Sequence, residues 1–130
     1  MKKFFLFISL MTIVSCTSLD YSILGVWALV DEQFFNDQGQ ESIGESGIKT
    51  WTFKKNGIGY ENSSSPFDYS IDGKFLTIHD INKDNEWTYE IQEMTSTYLQ
   101  VYIFIPRVYL SRPGDYINGH SSIYKFKKIE

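Results

Sequence analysis

The sequence has little of what several common functions require. A single cysteine, Cys16, occurs in 130 residues, which excludes a disulfide within one chain. The two histidines, His79 and His120, lie far apart and without a paired ligand spacing, which argues against a zinc site. The 12 basic residues are outnumbered by 16 acidic ones and form no basic stripe or arginine cluster. The sequence therefore predicts no metal, no cofactor and no nucleic-acid partner.

Helical periodicity is also missing. After the N-terminal run no window carries an apolar stripe with a 3.6-residue period, whereas apolar and polar residues often alternate. Three tryptophans, nine tyrosines and ten phenylalanines supply many of the apolar positions, as in half-buried strands. Eight such runs follow one another, at 24–30, 48–54, 57–61, 67–71, 74–79, 86–92, 98–105 and 122–129. We predict an all-β fold, an antiparallel up-and-down barrel of about eight strands, closed so that no strand edge stays exposed.

The lengths of the connections predict where this barrel opens. The longest, 31–47 and 106–121, are the first and the seventh in order. Tight hairpin turns are predicted at Asn56-Gly57 and Asp72-Gly73, the second and the fourth connections. In an up-and-down meander the odd connections share one end and the even connections share the other. We therefore expect a tight base and a loop-rich mouth.

The N-terminus has the pattern of an export signal. Lys2 and Lys3 precede an uncharged run over 4–14, which as a helix would span about 16 Å, too short for a hydrocarbon core of about 30 Å. The segment Ile13-Val14-Ser15-Cys16 resembles the lipobox of bacterial lipoproteins. That resemblance implies removal of residues 1–15 and lipidation of Cys16. A free thiol in an ordinary cleaved signal is the alternative.

The lipoprotein resemblance also implies an address in the cell envelope. It implies at least two acyl chains on Cys16, which is the number that holds a protein stably in a membrane. Thr17, which is not Asp, favours the outer membrane by the rule for enteric lipoproteins and leaves the membrane face open. The remaining 115 residues, with a net charge of −6, suffice for one domain. We expect a linker over 16–23 and a barrel domain over 24–130.

The start of the first predicted strand carries a second resemblance. Gly25-Val26-Trp27 resembles the G-x-W at the first strand of lipocalins. This implies a lipocalin-like barrel that binds a small, often hydrophobic molecule. It also implies that Trp27 packs at the base under a basic residue near the C-terminus, for which Lys125 and Lys127 are the candidates. A cation over an indole contributes ~0.5–1 kcal/mol at an exposed site, and Trp27 is equally compatible with a plain core position.

The aromatic residues decide how full the barrel is. An eight-stranded barrel is just wide enough to be filled by side chains or to hold one small molecule. The more apolar strand faces predict ten inward aromatics: Trp27, Trp51, Phe53, Tyr60, Phe67, Tyr69, Trp87, Tyr89, Tyr124 and Phe126. These are bulky, so we expect a nearly filled barrel with a shallow aromatic pocket near the mouth. Together with the aromatic and arginine residues of the mouth loops, they give the predicted ligand-binding set: Phe34, Phe35, Trp51, Tyr69, Trp87, Tyr89, Arg107 and Tyr109.

Two functions fit this picture. The first is a membrane-anchored, non-enzymatic protein that binds a small apolar or aromatic ligand at the open end of the barrel. The alternative is an envelope protein–protein interaction module, in which the barrel is filled and the mouth loops bind a macromolecule. No catalytic residue is predicted, because Ser63 to Ser65 lack a G-x-S-x-G setting and no motif nominates a carboxylate pair. The acidic stretch from Asp80 lacks the Gly and Glu that a calcium loop needs, since Asn85 and Ile91 stand there.

Overall fold

The computed structural model describes residues 23–130. The predicted signal segment over 1–15, Cys16 and the linker as far as residue 22 lie outside the described residues. Among the described residues there is no helix long and apolar enough to cross a membrane.

The described chain folds into one closed antiparallel barrel of eight strands, which confirms the predicted fold class. Each barrel strand pairs with the next one along the chain, and the last pairs with the first over nine residue pairs from Trp27–Lys128 to Asn36–His120. This up-and-down closure leaves no free edge in the barrel. The barrel strands are β1 (Gly25–Asn36), β3 (Thr50–Phe53), β4 (Ile58–Glu61), β5 (Ser65–Asp72), β6 (Phe75–Asp80), β7 (Asn85–Met94), β8 (Tyr98–Ile105) and β11 (His120–Lys128).

Three short strands lie in the two long connections, where the sequence predicted irregular loops. The first, β2 (Glu41–Ser42), adds to the end of β1. The other two, β9 (Val108–Tyr109) and β10 (Tyr116–Ile117), pair with each other and form a separate hairpin. We call residues 108–117 the mouth hairpin.

The first strand is longer than predicted, so the placement of Phe34 and Phe35 in a mouth loop was wrong. Strand β1 continues to Asn36 because a bulge at Val30 shifts the register and lets the chain keep pairing with β11. Phe34 pairs with Ser122 and Phe35 with Ser121, so both phenylalanines belong to the barrel wall.

The two long connections lie at one end of the barrel, as predicted, but two of the connections at that end are as short as those at the other. The connections over 37–49, 62–64, 81–84 and 106–119 lie at one end, the mouth, and those over 54–57, 73–74 and 95–97 lie at the other, the base. The turn predicted at Asp72-Gly73 is centred one residue later, since Asp72 pairs with Phe75. Gly73 has a φ of +61° there, as the first central residue of a type II′ turn requires.

Aromatic rings pack the lower half of the barrel. The ring of Trp51 stacks on Phe126 with a centroid distance of 4.5 Å and meets Tyr89 edge-on at 5.1 Å. Leu76 and Leu99 fill the same core with no exposed surface. The base is therefore a packed core rather than a channel, as the bulk of the predicted inward residues suggested.

The prediction that Tyr60 faces inward was wrong, so the inward and outward faces of β4 are the reverse of those predicted. Tyr60 does not belong to the core, because Gly59 takes the inward position on β4. A Cβ atom on Gly59 would lie 2.5 Å from Cε1 of Phe67 and 2.2 Å from the backbone oxygen of Thr52. The Phe67 ring thus uses the space over a glycine. Since side chains alternate along a strand, Glu61 also faces inward.

The G-x-W segment closes the base as its resemblance implies, with a different cation. Trp27 is fully buried, and its Nε1 donates a hydrogen bond of 2.8 Å to the Ile23 carbonyl. The ammonium over its ring belongs to Lys128, at 5.4 Å from the ring centroid. Lys125 and Lys127 were the wrong candidates, because the inward positions of β11 are the even-numbered ones and Lys128 shares them.

Candidate functional site

The barrel is hollow towards its mouth. A cavity of about 330 Å³ opens between the long connections and ends on the packed base. This mouth cavity falls near the lower limit of the volumes typical of small-molecule sites, about 300–1,000 Å³. Its aromatic lining consists of Phe34, Trp51, Phe67, Trp87, Tyr89 and Tyr124, and its aliphatic lining of Ile48, Ile78, Ile103 and Ile105.

Carboxylates are the charged part of the lining. The acidic side chains are Glu45, Glu61 and Asp80, and the only basic one among the lining residues is His120. Asp80 also holds the adjacent turn, since its Oδ1 accepts the backbone N–H groups of Asn82 and Lys83, each at 3.0 Å. The cavity is therefore acidic as well as aromatic.

Two tyrosines share the interior with these carboxylates. Burial raises the pKa of Tyr89 well above its ordinary value, and the neighbouring Tyr124 and Glu61 add to the effect. Burial likewise raises the pKa of Tyr124, although a hydrogen bond to Ser122 opposes it and the charges of Glu32 and Glu61 add to it. Both phenols consequently stay protonated at neutral pH and can donate hydrogen bonds inside the barrel.

One donor of the lining has no partner. Trp51 is 1% exposed, and within residues 23–130 its Nε1 has no hydrogen-bond acceptor. Leaving such a group unpaired costs about 1–3 kcal/mol. A bound molecule or a water with an acceptor atom next to this nitrogen would remove that cost.

The structure brings together four of the eight predicted ligand-binding residues. Phe34, Trp51, Trp87 and Tyr89 line the mouth cavity. Phe34 packs edge-on against Tyr124 at 6.1 Å, and Trp87 lies at the rim with 40% of its surface exposed.

The other four predicted residues lie elsewhere. Phe35 alternates with Phe34 along β1 and so lies on the outer face of the wall. Tyr69 packs in the lower barrel against Phe53 and donates a 2.5 Å hydrogen bond to the Lys54 carbonyl, in the base connection. Arg107 and Tyr109 belong to the last long connection, outside the cavity.

Arg107 joins the two long connections of the mouth. Its guanidinium donates to Asp37 at 2.6 Å, and this carboxylate is only 14% exposed. The same guanidinium lies over the ring of Tyr116, with its Cζ 4.3 Å from the ring centroid. The mouth hairpin is thus held beside the first connection by one ion pair and one cation–π contact.

The mouth hairpin exposes apolar side chains. Tyr109 is 72% exposed and Ile117 59%, and Val108, Leu110 and Tyr116 are exposed as well. Such a group of exposed apolar residues on one short element is the kind of surface that binds partners.

No metal centre is found in the described part of the chain. Residues 23–130 contain no group of three or more His, Cys, Asp or Glu side chains placed to hold an ion. His79 instead bridges two carboxylates on the outer surface, with its Nε2 2.7 Å from Asp84 and its Nδ1 3.3 Å from Asp68.

Fold and cavity together define a class of protein. The chain forms a closed, eight-stranded up-and-down barrel, the architecture of lipocalins, with a cavity of ligand size at its loop-rich end. No family model matches the sequence, and no curated protein matches it. A solved structure, a lipocalin-like protein from Bacteroides uniformis, is similar with a TM-score of 0.48 and 15% identity, over 83% of this chain and 99% of that one. The class is defined by the strand order and closure of the barrel.

Proposed function

We propose that this chain is a lipid-anchored, lipocalin-like protein of the cell envelope that binds a small apolar or aromatic molecule in the mouth cavity. The observation that carries the proposal is the cavity itself, about 330 Å³ in a barrel whose base is packed. A volume of this size is sufficient for a molecule of one or two rings. We assign the chain no catalytic role.

The lining supports an aromatic or apolar ligand. Trp87 and Tyr89 supply flat faces and polar tips in one place, which suits a ring with a few hydrogen-bonding groups. The unpaired Nε1 of Trp51 supports a ligand that also carries an acceptor atom. Removal of Trp87 should weaken binding without disturbing the fold, because its side chain lies at the rim.

The test is recovery of a bound molecule from native membranes. Mass spectrometry of the purified protein should detect one small compound at near-stoichiometric amount, and the Trp87→Ala variant should lose most of it. Phe104→Ala is the matched control, since Phe104 is 59% exposed on the outer face of the neighbouring strand β8. Equal recovery from both variants, or an empty wild-type protein that also binds no aromatic probe, would contradict the proposal.

The lipid anchor is tested separately. The proposal predicts that Cys16 becomes the acylated first residue of the mature chain. Mass spectrometry of the mature N-terminus should show the acyl chains, and a Cys16→Ser variant should leave the detergent phase in a phase-partition experiment. An unmodified Cys16 in the mature protein would remove the anchor from the proposal and leave the ligand site untouched.

The second candidate function is binding of an envelope protein. The mouth hairpin favours it, because Tyr109 and Ile117 are exposed there together with other apolar side chains. A photo-crosslinking amino acid in place of Tyr109 should then give one discrete protein adduct in cells. A crosslinker at Phe75, which is 45% exposed near the base, is the control.

A further inference from the structure

The charge of the lining selects among the molecules that the cavity could hold. Of the residues that line it, Glu45, Glu61 and Asp80 are acidic, and no lysine or arginine is among them. Arg107 belongs to the same end of the barrel, but its guanidinium is engaged by Asp37 outside the lining. The only basic side chain of the lining is His120, so an anion that entered would meet three carboxylates and one histidine.

Glu61 is the carboxylate that matters most. It is half-buried at the end of β4 and pairs across the strand with Trp51. Among residues 23–130 it has no ion-pair partner within 4.0 Å. Burying an unpaired carboxylate costs free energy that a bound cation would recover.

Aromatic residues share the cavity lining with this carboxylate. Glu61 is close enough to Tyr89 and Tyr124 for its charge to act on both phenols. A carboxylate beside electron-rich ring faces is the combination that attracts an organic cation, because the ring quadrupole and the fixed charge act in the same direction.

A second carboxylate lies just behind this group. Glu32 faces Tyr124 across the β1–β11 pair and accepts a 2.7 Å hydrogen bond from the Ser46 hydroxyl, a residue of the lining. The negative charge of the interior thus comes from β1 and β4, two strands that are separated by β3. The Nε1 of Trp51, which is buried and has no acceptor among residues 23–130, is an independent sign of a ligand and calls for an acceptor atom on that ligand besides its amine.

We propose that the mouth cavity takes a small aromatic molecule with a positively charged amine, whose ring lies among Trp51, Trp87 and Tyr89 and whose ammonium pairs with Glu61. This inference rests on the proposed function and narrows it from apolar or aromatic ligands to aromatic cations. The same charges disfavour carboxylate-bearing ligands such as fatty acids.

The experiment uses three probes of nearly equal shape: 1-naphthylmethylamine, 1-naphthalenemethanol and 1-naphthoate, which are positive, neutral and negative at pH 7. Isothermal titration calorimetry with the full-length protein should rank them in that order of affinity, with about tenfold between the first and the last. Glu61→Gln should lower the affinity for the amine about tenfold and change that for the alcohol little.

Two further variants keep the result interpretable. Glu86→Gln removes one negative charge from β7 at an exposed residue outside the cavity lining, and should leave all three affinities unchanged. Glu45→Gln removes a lining charge at an exposed loop position, where folding is not at risk. It should lower the affinity for the amine by a smaller factor than Glu61→Gln does. All variants carry the same N-terminal segment and are measured in the same detergent. Partition of a given probe into the detergent therefore cancels when its affinities for two variants are compared.

The outcomes separate the inference from the proposed function. If 1-naphthoate binds as tightly as the amine, or if neither Glu61→Gln nor Glu45→Gln weakens the amine, the cation preference is overturned while ligand binding stands. If none of the three probes binds, the mouth cavity is not an aromatic site, and both the proposed function and the inference fall.

Discussion

A pair of substitutions on one strand tests the division of the barrel into a packed base and a hollow mouth. Leu99 and Ile103 both face inward on β8, four residues apart. Leu99 has no exposed surface and lies in the base core, whereas Ile103 lines the mouth cavity and is 6% exposed. Alanine at either site removes buried aliphatic carbon, but the surroundings differ.

The expected costs differ by about twofold. Leu99→Ala leaves a new void in a packed region, and substitutions of this kind destabilise by about 2.7–5.0 kcal/mol depending on the residual cavity. We expect about 4 kcal/mol. Ile103→Ala only enlarges a cavity that is already open to solvent, so the loss is close to the transfer term of ~0.8 kcal/mol per buried CH₂, or about 2 kcal/mol for three carbon groups.

Urea unfolding monitored by tryptophan fluorescence measures both values. For a slope of about 2 kcal/mol/M, the two midpoints should lie about 1 M apart, with Leu99→Ala the less stable. Phe104→Ala, an exposed position on the outer face of the same strand, should stay within about 0.5 kcal/mol of the wild type. Equal costs at 99 and 103, or a larger cost at 103, would refute a hollow mouth over a filled base.

Three further predictions concern the base, the surface and the mouth. Gly25→Ala should cost at least about 3 kcal/mol in urea unfolding, because Gly25 has a φ of +129° and a Cβ there would lie 2.4 Å from the backbone oxygen of Glu130; a loss below about 1 kcal/mol would contradict this. Hydrogen bonds to Asp84 and, to a smaller extent, to Asp68 raise the pKa of His79 above 6.5. The stability that these contacts contribute is therefore complete below pH 6.5 and is lost as the pH rises through the raised pKa of the folded state. An NMR titration should show a lower pKa of His79 in the Asp84→Asn variant. An unchanged pKa would show that Asp84 is not the cause of the shift. Asp37→Asn should speed hydrogen exchange in the mouth hairpin by freeing Arg107, and unaltered exchange would show that the ion pair does not hold the hairpin.

The strand order was predictable because alternation and turn chemistry agree along most of the chain. The run at 86–92 alternates Trp87, Tyr89 and Ile91 with polar residues, and β7 uses that register. The end of β1 was not predictable in the same way. The bulge at Val30 breaks the alternation, so the pairing of Phe34 and Phe35 with β11 has no local signature.

The acidic side of the cavity was missed for a related reason. Ile58 and Tyr60 are the apolar residues of their run, and choosing their face as inward placed Glu61 on the outer surface. The deciding contact is between Gly59 and the Phe67 ring on the next strand, which depends on tertiary packing and not on the pattern of β4 itself. A glycine between two larger residues in a short strand is the one local sign that a ring from a neighbouring strand approaches closely.

The chain enters and leaves the barrel at its base. Ile23 is buried beneath Trp27, and the last residues pair with Val26, so both ends of the described chain leave from the sealed base. Any tether that precedes Ile23 is therefore attached to the end of the barrel opposite the opening. If Cys16 carries the proposed lipid anchor, the point of attachment and the entrance lie at opposite ends of the barrel, so a ligand would reach the cavity from water.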